Sequence, residues 1–275
     1  MDATEEIMSI ERLSRDLRSA SKTLTIAEAR FLVDAYYTMQ KDRIRAAHQT
    51  RTLAEGGEPC GVMSWLEDQR GTLEKQVAAA LNAYSAASPL GDWARSIKGI
   101  GPIIAAGLLA HIDIAKAPTV GHIWRFAGLD PTLKWEKGQK RPWNADLKRL
   151  CFLIGESFVK VSGYDDDVYG HVWRERKDLE TRNNEALVYQ AQAAESLRTK
   201  KFGEDTDARK YYEKGMLPPA RIHLRAKRYA VKLFLAHYHH VGYELTFNAL
   251  PPRPYIIEHG GHTHYIAPPN WPVTG

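Results

Sequence analysis

The stretch SIKGIGPIIAAGLLAHI, residues 96–112, decides how the chain is read. Lys98 leads into Gly99-Ile100-Gly101, a proline follows at position 102, and an apolar helical run begins. Proline suits the first turn of a helix, because the amide it lacks has no intrahelical partner there. Glycines before it leave backbone amides unshielded and supply conformations that a Cβ would oppose. The segment reads as helix, tight turn, helix. Such a turn either aims amides at a phosphate, with Lys98 adding a point charge, or simply packs two helices closely. Ala105, Ala106, Gly107 and Ala110 are small enough for the second reading.

Upstream, TIAEARFLVDAYYTMQKDRIRAAHQTRTLAE starts at Thr25, and Thr25 with Glu28 forms a capping box before an apolar periodic run. Phe31, Ala35, Met39 and Ile44 fall on one predicted face. The cluster GGEPCG at 56–61 should end that helix. A second run, VMSWLEDQRGTLEKQVAAALNAYSAA, places Trp65, Leu66, Leu73, Val77 and Leu81 on its apolar side, with Gly71 as a weak point. After an N-terminal segment, 1–24, the spacing predicts an antiparallel helical hairpin over 25–90, with apolar faces suited to a homodimer.

Downstream, residues 91–245 read as one helical domain. Asn144 is the expected N-cap of ADLKRLCFLIGESFVKV, the polar stretch 165–213 is helical in part, and Pro218-Pro219 introduce ARIHLRAKRYAVKLFLAHYHHVGYEL. The tail, 246–275, is too rich in proline and glycine for a helix. No segment sustains the alternation of a strand, so the fold class is all-α.

The chain has 275 residues, with 38 Lys and Arg against 33 Asp and Glu, so the formal charge of +5 makes local clustering more telling than the total. Two cysteines, Cys60 and Cys151, have no metal-type spacing and imply a reducing compartment. The charged start MDATEEIMSIERLSRDL has no apolar signal region, and no apolar run is long enough for a membrane span. The expectation is a cytoplasmic protein without membrane partner, cofactor or metal.

The loop KWEKGQKRPWN interleaves Lys134, Lys137, Lys140 and Arg141 with Trp135 and Trp143 up to Asn144, and Lys148 and Arg149 continue the basic character. Cations beside flat rings suit a nucleic-acid backbone with unstacked bases, so Trp135 or Trp143 is expected to stack on a base. A solvated loop with both indoles turned inward is the alternative. In RIHLRAKRYAVK, Arg221, Arg225, Arg228 and Lys232 are spaced four, three and four and form one stripe. No acid interrupts them, whereas a structural helix usually mixes in i,i+4 acids. Ile222, Ala226, Tyr229 and Leu233 are expected to face the core, and His223 and Lys227 complete the basic set. The histidines of HYHH (237–240) and HGGHTH (259–264) come without cysteine and favour packing on the core, or RNA contact, over metal. Asp165-Asp166-Asp167 reads as a helix start, and no P-loop, zincin motif or nucleophile elbow occurs.

In order and spacing, SIKGIGPIIAAGLLAHI, TVGHIWRFAGLDP, the basic loop and RIHLRAKRYAVKLFLAHYH resemble the C-terminal half of bridge-RNA-guided insertion-sequence transposases. That half is similar to the Nop domain of box C/D ribonucleoproteins, which follows a two-helix coiled coil. The family also carries a RuvC-like acidic domain, for which a helical hairpin at 25–90 leaves no room, and a catalytic serine in a Ser-Gly segment shortly after AGLDP. Here that place reads TLKWEKGQ from Thr132, with no serine. A Nop-like chain without nuclease resembles the stand-alone Tas proteins of TIGR systems. The resemblance implies a non-catalytic guide-RNA-binding protein, prokaryotic or phage-encoded, that recognises target DNA by base pairing, with or without a separate nuclease. Lys98, Gly99, Ile100 and Gly101 would form a phosphate hairpin, or, in this context, a hinge. Two alternatives stand beside it: a helix-hairpin-helix binder of duplex DNA derived from a transposase, and an active transposase or recombinase.

Overall fold

The computed structural model describes residues 14–58, 60–253 and 265–272. Thr25 opens the first long helix as its neighbours predict. Its hydroxyl accepts from the Glu28 amide, the Glu28 carboxylate accepts from the Thr25 amide, and helix α2 (Ile26–Glu55) runs to Gly56. A short helix, α1 (Arg15–Ala20), precedes it. α3 (Gly61–Ala86) returns alongside α2 and completes the hairpin. α4 (Pro89–Ser96), α5 (Pro102–His111), α6 (Val120–Phe126) and α7 (Ala145–Val161) follow. α8 (Tyr169–Glu185), α9 (Gln190–Thr199), α10 (Asp207–Glu213) and α11 (Pro219–Phe247) complete the set. No strand occurs among the described residues, so the chain is all-α there.

Two compact units emerge. One gathers the residues up to Arg95 with Gly101–Asp113, and the other gathers Ser96–Ile100 with the chain from Ile114 onward. In the first, α5 packs on both helices of the hairpin, and Val33, Leu81 and Ala106 form a buried cluster flanked by Tyr36, Val77 and Ile103. Arg30 Nε reaches across to the Ala110 carbonyl at 2.6 Å.

This packing keeps Val77 and Leu81 of the predicted apolar face of the hairpin and corrects much of the rest. Phe31 is 73% exposed, and Ile44, Trp65 and Leu73 are exposed as well, whereas Ala29, Val33 and Ala46 are buried. The periodic pattern located a helix, but the cluster where α2, α3 and α5 meet takes Val33 with the partly buried Leu32, Tyr36 and Tyr37 rather than Phe31.

The second unit is built around α11. Phe158 of α7 stacks on Tyr169 of α8 with centroids 4.9 Å apart, and Phe234 of α11 meets both rings edge-on. The buried line on α11 runs Ile222, Ala226, Ala230, Phe234 and Tyr238. Tyr229, read from sequence as a core residue, is 41% exposed, and Leu233 is half-buried. The correction amounts to a rotation of the buried arc, because α7 and α8 clasp α11 from two sides rather than one. α9 and α10 form a smaller layer with its own cluster, Ala193, Tyr212, Leu217 and Ile222.

The histidines at the end of α11 serve this core. A carbonyl can only accept, so His237 donates Nε2–H to Ile266 at 2.9 Å and its Nδ1 accepts from the Tyr169 hydroxyl at 2.7 Å. His239 Nε2 likewise donates to the Ala117 carbonyl at 2.7 Å. Burial holds His237 neutral, pushing it down to about 4, and lowers His239 for the same first reason. No group of three potential metal ligands occurs among the described residues, and HGGHTH lies outside them. No helix among the described residues is long and apolar enough to cross a membrane.

Candidate nucleic-acid interface

The stripe of α11 does not present four equivalent cations. Arg221 Nη1 donates to the Ser196 and Tyr212 hydroxyls at 3.0 and 3.2 Å, which fastens it to the α9–α10 layer. Arg225 lies over the Tyr189 ring at 4.3 Å and donates Nε–H to Glu180 at 2.7 Å. Glu180 is buried, and it also takes Arg176 at 2.7 Å and the Tyr189 hydroxyl at 2.5 Å. Burial alone would raise the Glu180 carboxyl, but Tyr189, Arg225 and Arg176 outweigh it and hold it below the ordinary range. The acid that sequence reading found missing from the helix is thus supplied by α8, one layer away.

Lys227 is also turned to structural use. Its stem crosses Gly155 of α7 and its ammonium pairs with Glu156 and sits over the Phe152 ring, 4.4 Å from the centroid. The bond with Lys227 lowers the Glu156 carboxyl. His223 meets Trp173 edge-on, and burial followed by the charge of Lys227 lowers its imidazole.

The remaining cations are held differently. Lys232 lies over the Trp124 ring at 4.2 Å, while Trp124 Nε1 donates to the Lys232 carbonyl at 3.1 Å. Lys148 lies over Trp143 at 3.9 Å and Arg141 over Trp135 at 5.3 Å. Arg228 is exposed and makes no hydrogen bond or salt bridge within the described residues. Burial lowers the Lys148 ammonium, and the positive charges of Arg141 and Arg228 lower it further. Although Arg228 keeps an exposed surface, partial desolvation by its neighbours lowers it, followed by repulsion from Arg225 and Arg221, with Glu180 opposing. Lys232 is lowered by burial and raised by Asp130. Lys134, Lys137, Lys140 and Arg149 are exposed around this cluster.

Local sequence explains the placement of Trp143. Gly128 ends α6 with φ +65°, and a Cβ there would stand 2.8 Å from Trp143 Cγ. The indole therefore rests on bare backbone, with the Lys148 stem also close to Gly128 and its ammonium over the ring. Asn144 is engaged as the N-cap of α7, accepting from the Leu147 amide at 2.7 Å and donating its own amide to Phe126 at 2.8 Å. Trp135 is 39% exposed, with its N–H on the Gln139 carbonyl.

The glycine turn is tightly specified on one side only. Gly99 has φ +90°, its carbonyl accepts from Ser157 at 2.5 Å, and a Cβ would crowd Val161 and Ser157. Lys98 pairs with Asp166 at 3.0 Å and lies over Tyr164, so its charge is already engaged. Ile100 is buried. Gly101, in the other unit, is the exposed N-cap of α5, and nothing stands within 4 Å of where a Cβ would be.

Trp124, Phe126 and Glu180 were not picked out from the sequence. Trp124 and Phe126 sit two apart on α6, so a helix cannot bury both, and Phe126 is 43% exposed. That spacing was the available signal. Glu180 offered none, since it lies 45 residues from Arg225.

Residues 92–139 match the Transposase IS116/IS110/IS902 family. The matched stretch runs from α4 through the glycine turn, α5 and α6 to Gln139 in the tryptophan loop, and it supports a transposase-derived, mobile-element relationship. No curated protein and no solved structure matches the chain. Within the transposase-like segment, Thr132 stands where the resembled family carries its Ser-Gly. Its hydroxyl donates to Asp130 Oδ1 at 2.7 Å and its amide donates to the same oxygen at 2.9 Å, which lowers the Asp130 carboxyl. The Arg125 guanidinium is 3.7 Å from the other oxygen.

Proposed function

We propose that this protein is a non-catalytic guide-RNA-binding component of an RNA-guided DNA-targeting system derived from an insertion-sequence transposase. The observation that carries the reading is the cluster Arg141, Lys148 and Arg228: the two arginines repel Lys148, two of the three cations rest on indoles, and none of the three forms an ion pair among the described residues. Folding tolerates such a cluster at a cost, and a polyanion relieves it. The transposase match ends at Gln139, two residues before Arg141, and this supports nucleic acid over other polyanions as the ligand. Sequence recognition would be delegated to base pairing, with the protein supplying backbone contacts and Trp135 an exposed ring. The turn at Thr132 supports a binding role, because its hydroxyl is spent on Asp130 and no serine occurs from Thr132 to Gln139.

Sequencing the nucleic acid that co-purifies with the chain tests this reading. Short RNAs enriched over those carried by a control protein of equal charge are the expected result. Recovery of nothing above that control, or binding to duplex DNA that persists unchanged after RNase, would overturn it.

A further inference from the structure

Cations in this protein are positioned in two ways, and the difference has a chemical consequence. A carboxylate partner fixes a cation and cancels its field. An indole face fixes a cation through its quadrupole and leaves the full positive charge to act on a third group. Arg225, Arg176, Lys227 and Lys98 belong to the first kind. Lys148 on Trp143, Lys232 on Trp124 and Arg141 on Trp135 belong to the second.

We infer that Lys148, Lys232 and Arg141, three of the cations seated on indoles (Lys177 on Trp173 is another), together with the unpaired Arg228, form a phosphodiester-binding site, and that Trp124 and Trp143 are its positioning residues. The inference rests on the proposed function and narrows it: Arg221, Arg225 and Lys227 drop out of the contact set, and Trp143 changes from a base-stacking ring to a support. Several features converge on this. Trp143 is backed by Gly128, where a Cβ would stand only 2.8 Å away, so the indole has little room to shift toward a base. Trp124 is anchored to the backbone of the same residue whose ammonium it carries, through its bond to the Lys232 carbonyl. Arg228 and Arg141 are near enough to Lys148 for both charges to bear on it. Two acids act on the group: Asp130 attracts Lys232 but is engaged by Thr132 and Arg125, and Glu180 attracts Arg228 but is engaged by Arg176 and Arg225. A phosphate entering among these cations meets donors that are already oriented and not neutralised, so little ordering cost opposes binding. The ligand chemistry is the phosphodiester backbone, common to RNA and DNA.

Fluorescence anisotropy of the full chain against a labelled single-stranded RNA, and separately against duplex DNA, between about 50 and 200 mM salt provides the test. Lys148→Gln and Lys232→Gln should each flatten the plot of log affinity against log salt, by about 0.7 for RNA or about 0.9 for duplex DNA. The arm in which the slope changes identifies the source of the phosphate. Arg198→Gln, which removes an exposed cation paired with Glu195, should leave the slope unchanged. Trp143→Leu should weaken binding and Trp143→Phe should restore it, since a phenyl face still seats the ammonium. Wild-type slopes in both Lys148→Gln and Lys232→Gln, with the wild-type chain binding normally, would overturn the site and leave the broader reading standing. If wild type binds neither probe, the broader reading fails with it. Because Lys148 and Lys232 both have solvent-accessible side chains, their variants remain informative should Trp143→Leu fail to fold.

Discussion

The two ends of the α11 stripe look alike in sequence and behave oppositely in the fold. At one end Arg225 is bound to the buried Glu180 and held flat on Tyr189, with Arg176 completing the cluster. At the other, Arg228 is unpaired and Lys232 rests on Trp124. The first arrangement stabilises an interface between helices. The second retains charge that the fold itself does not use. Counting basic residues therefore overstates a binding site wherever another helix supplies the acid.

The sharpest way to break this comparison is Glu180→Gln. It leaves Arg176 and Arg225 partly buried without their carboxylate, each still about 29% and 28% exposed. A loss of about 3 kcal/mol in stability is expected, read as a lower urea midpoint at unchanged m. Nucleic-acid affinity of the folded fraction should not fall. If affinity collapses while stability holds, the two ends of the stripe are equivalent after all.

Acid should separate them next. His237 is neutral in the fold and titrates at about 4, against an ordinary value of 6.5. Its folded-state pKa is depressed, so between those values the unfolded chain binds more protons. Its contribution is fully present above about 6.5 and is lost as pH falls toward 4, by roughly 3 kcal/mol at most. His239 is shifted in the same direction and adds to the loss. The arginines and lysines of the interface stay charged over this range. Binding lost on acidification should therefore track the urea midpoint at each pH, and binding that disappears at constant stability would refute the assignment.

The smallest expected effect is a null one that checks the scaffold. Cys151 lies one turn beyond Lys148 on α7, is buried, and burial pushes its thiol up to about 12. Cys60 is exposed. Iodoacetamide at neutral pH should modify Cys60 and spare Cys151 in wild type and equally in Lys148→Gln. Modification of Cys151 in that variant would show that α7 had loosened and that lost affinity reflects packing.

Legibility in the sequence followed the range of the interaction. Capping at Thr25 and Asn144, the break at Gly56 and the prolines before α11 act within a few residues, and the structure matches them. The apolar face of α2 was misplaced because the cluster where α2, α3 and α5 meet takes Val33 and leaves Phe31 outside. In the candidate interface, the pairing of Lys148 with Trp143 could be suspected from adjacency, whereas Lys232 with Trp124 spans 108 residues.

By itself the sequence determined an all-α chain, a helical hairpin, a glycine turn inside a transposase-like stretch, and the rows of basic residues on α11 and around the tryptophan loop. Only the tertiary structure decided which of those cations lie against a carboxylate and which against an indole. Helix formation depends on neighbours three and four residues away, which the sequence displays. Neutralisation depends on which side chain of a distant helix arrives within about 3 Å, where a carboxylate cancels the field and an indole does not.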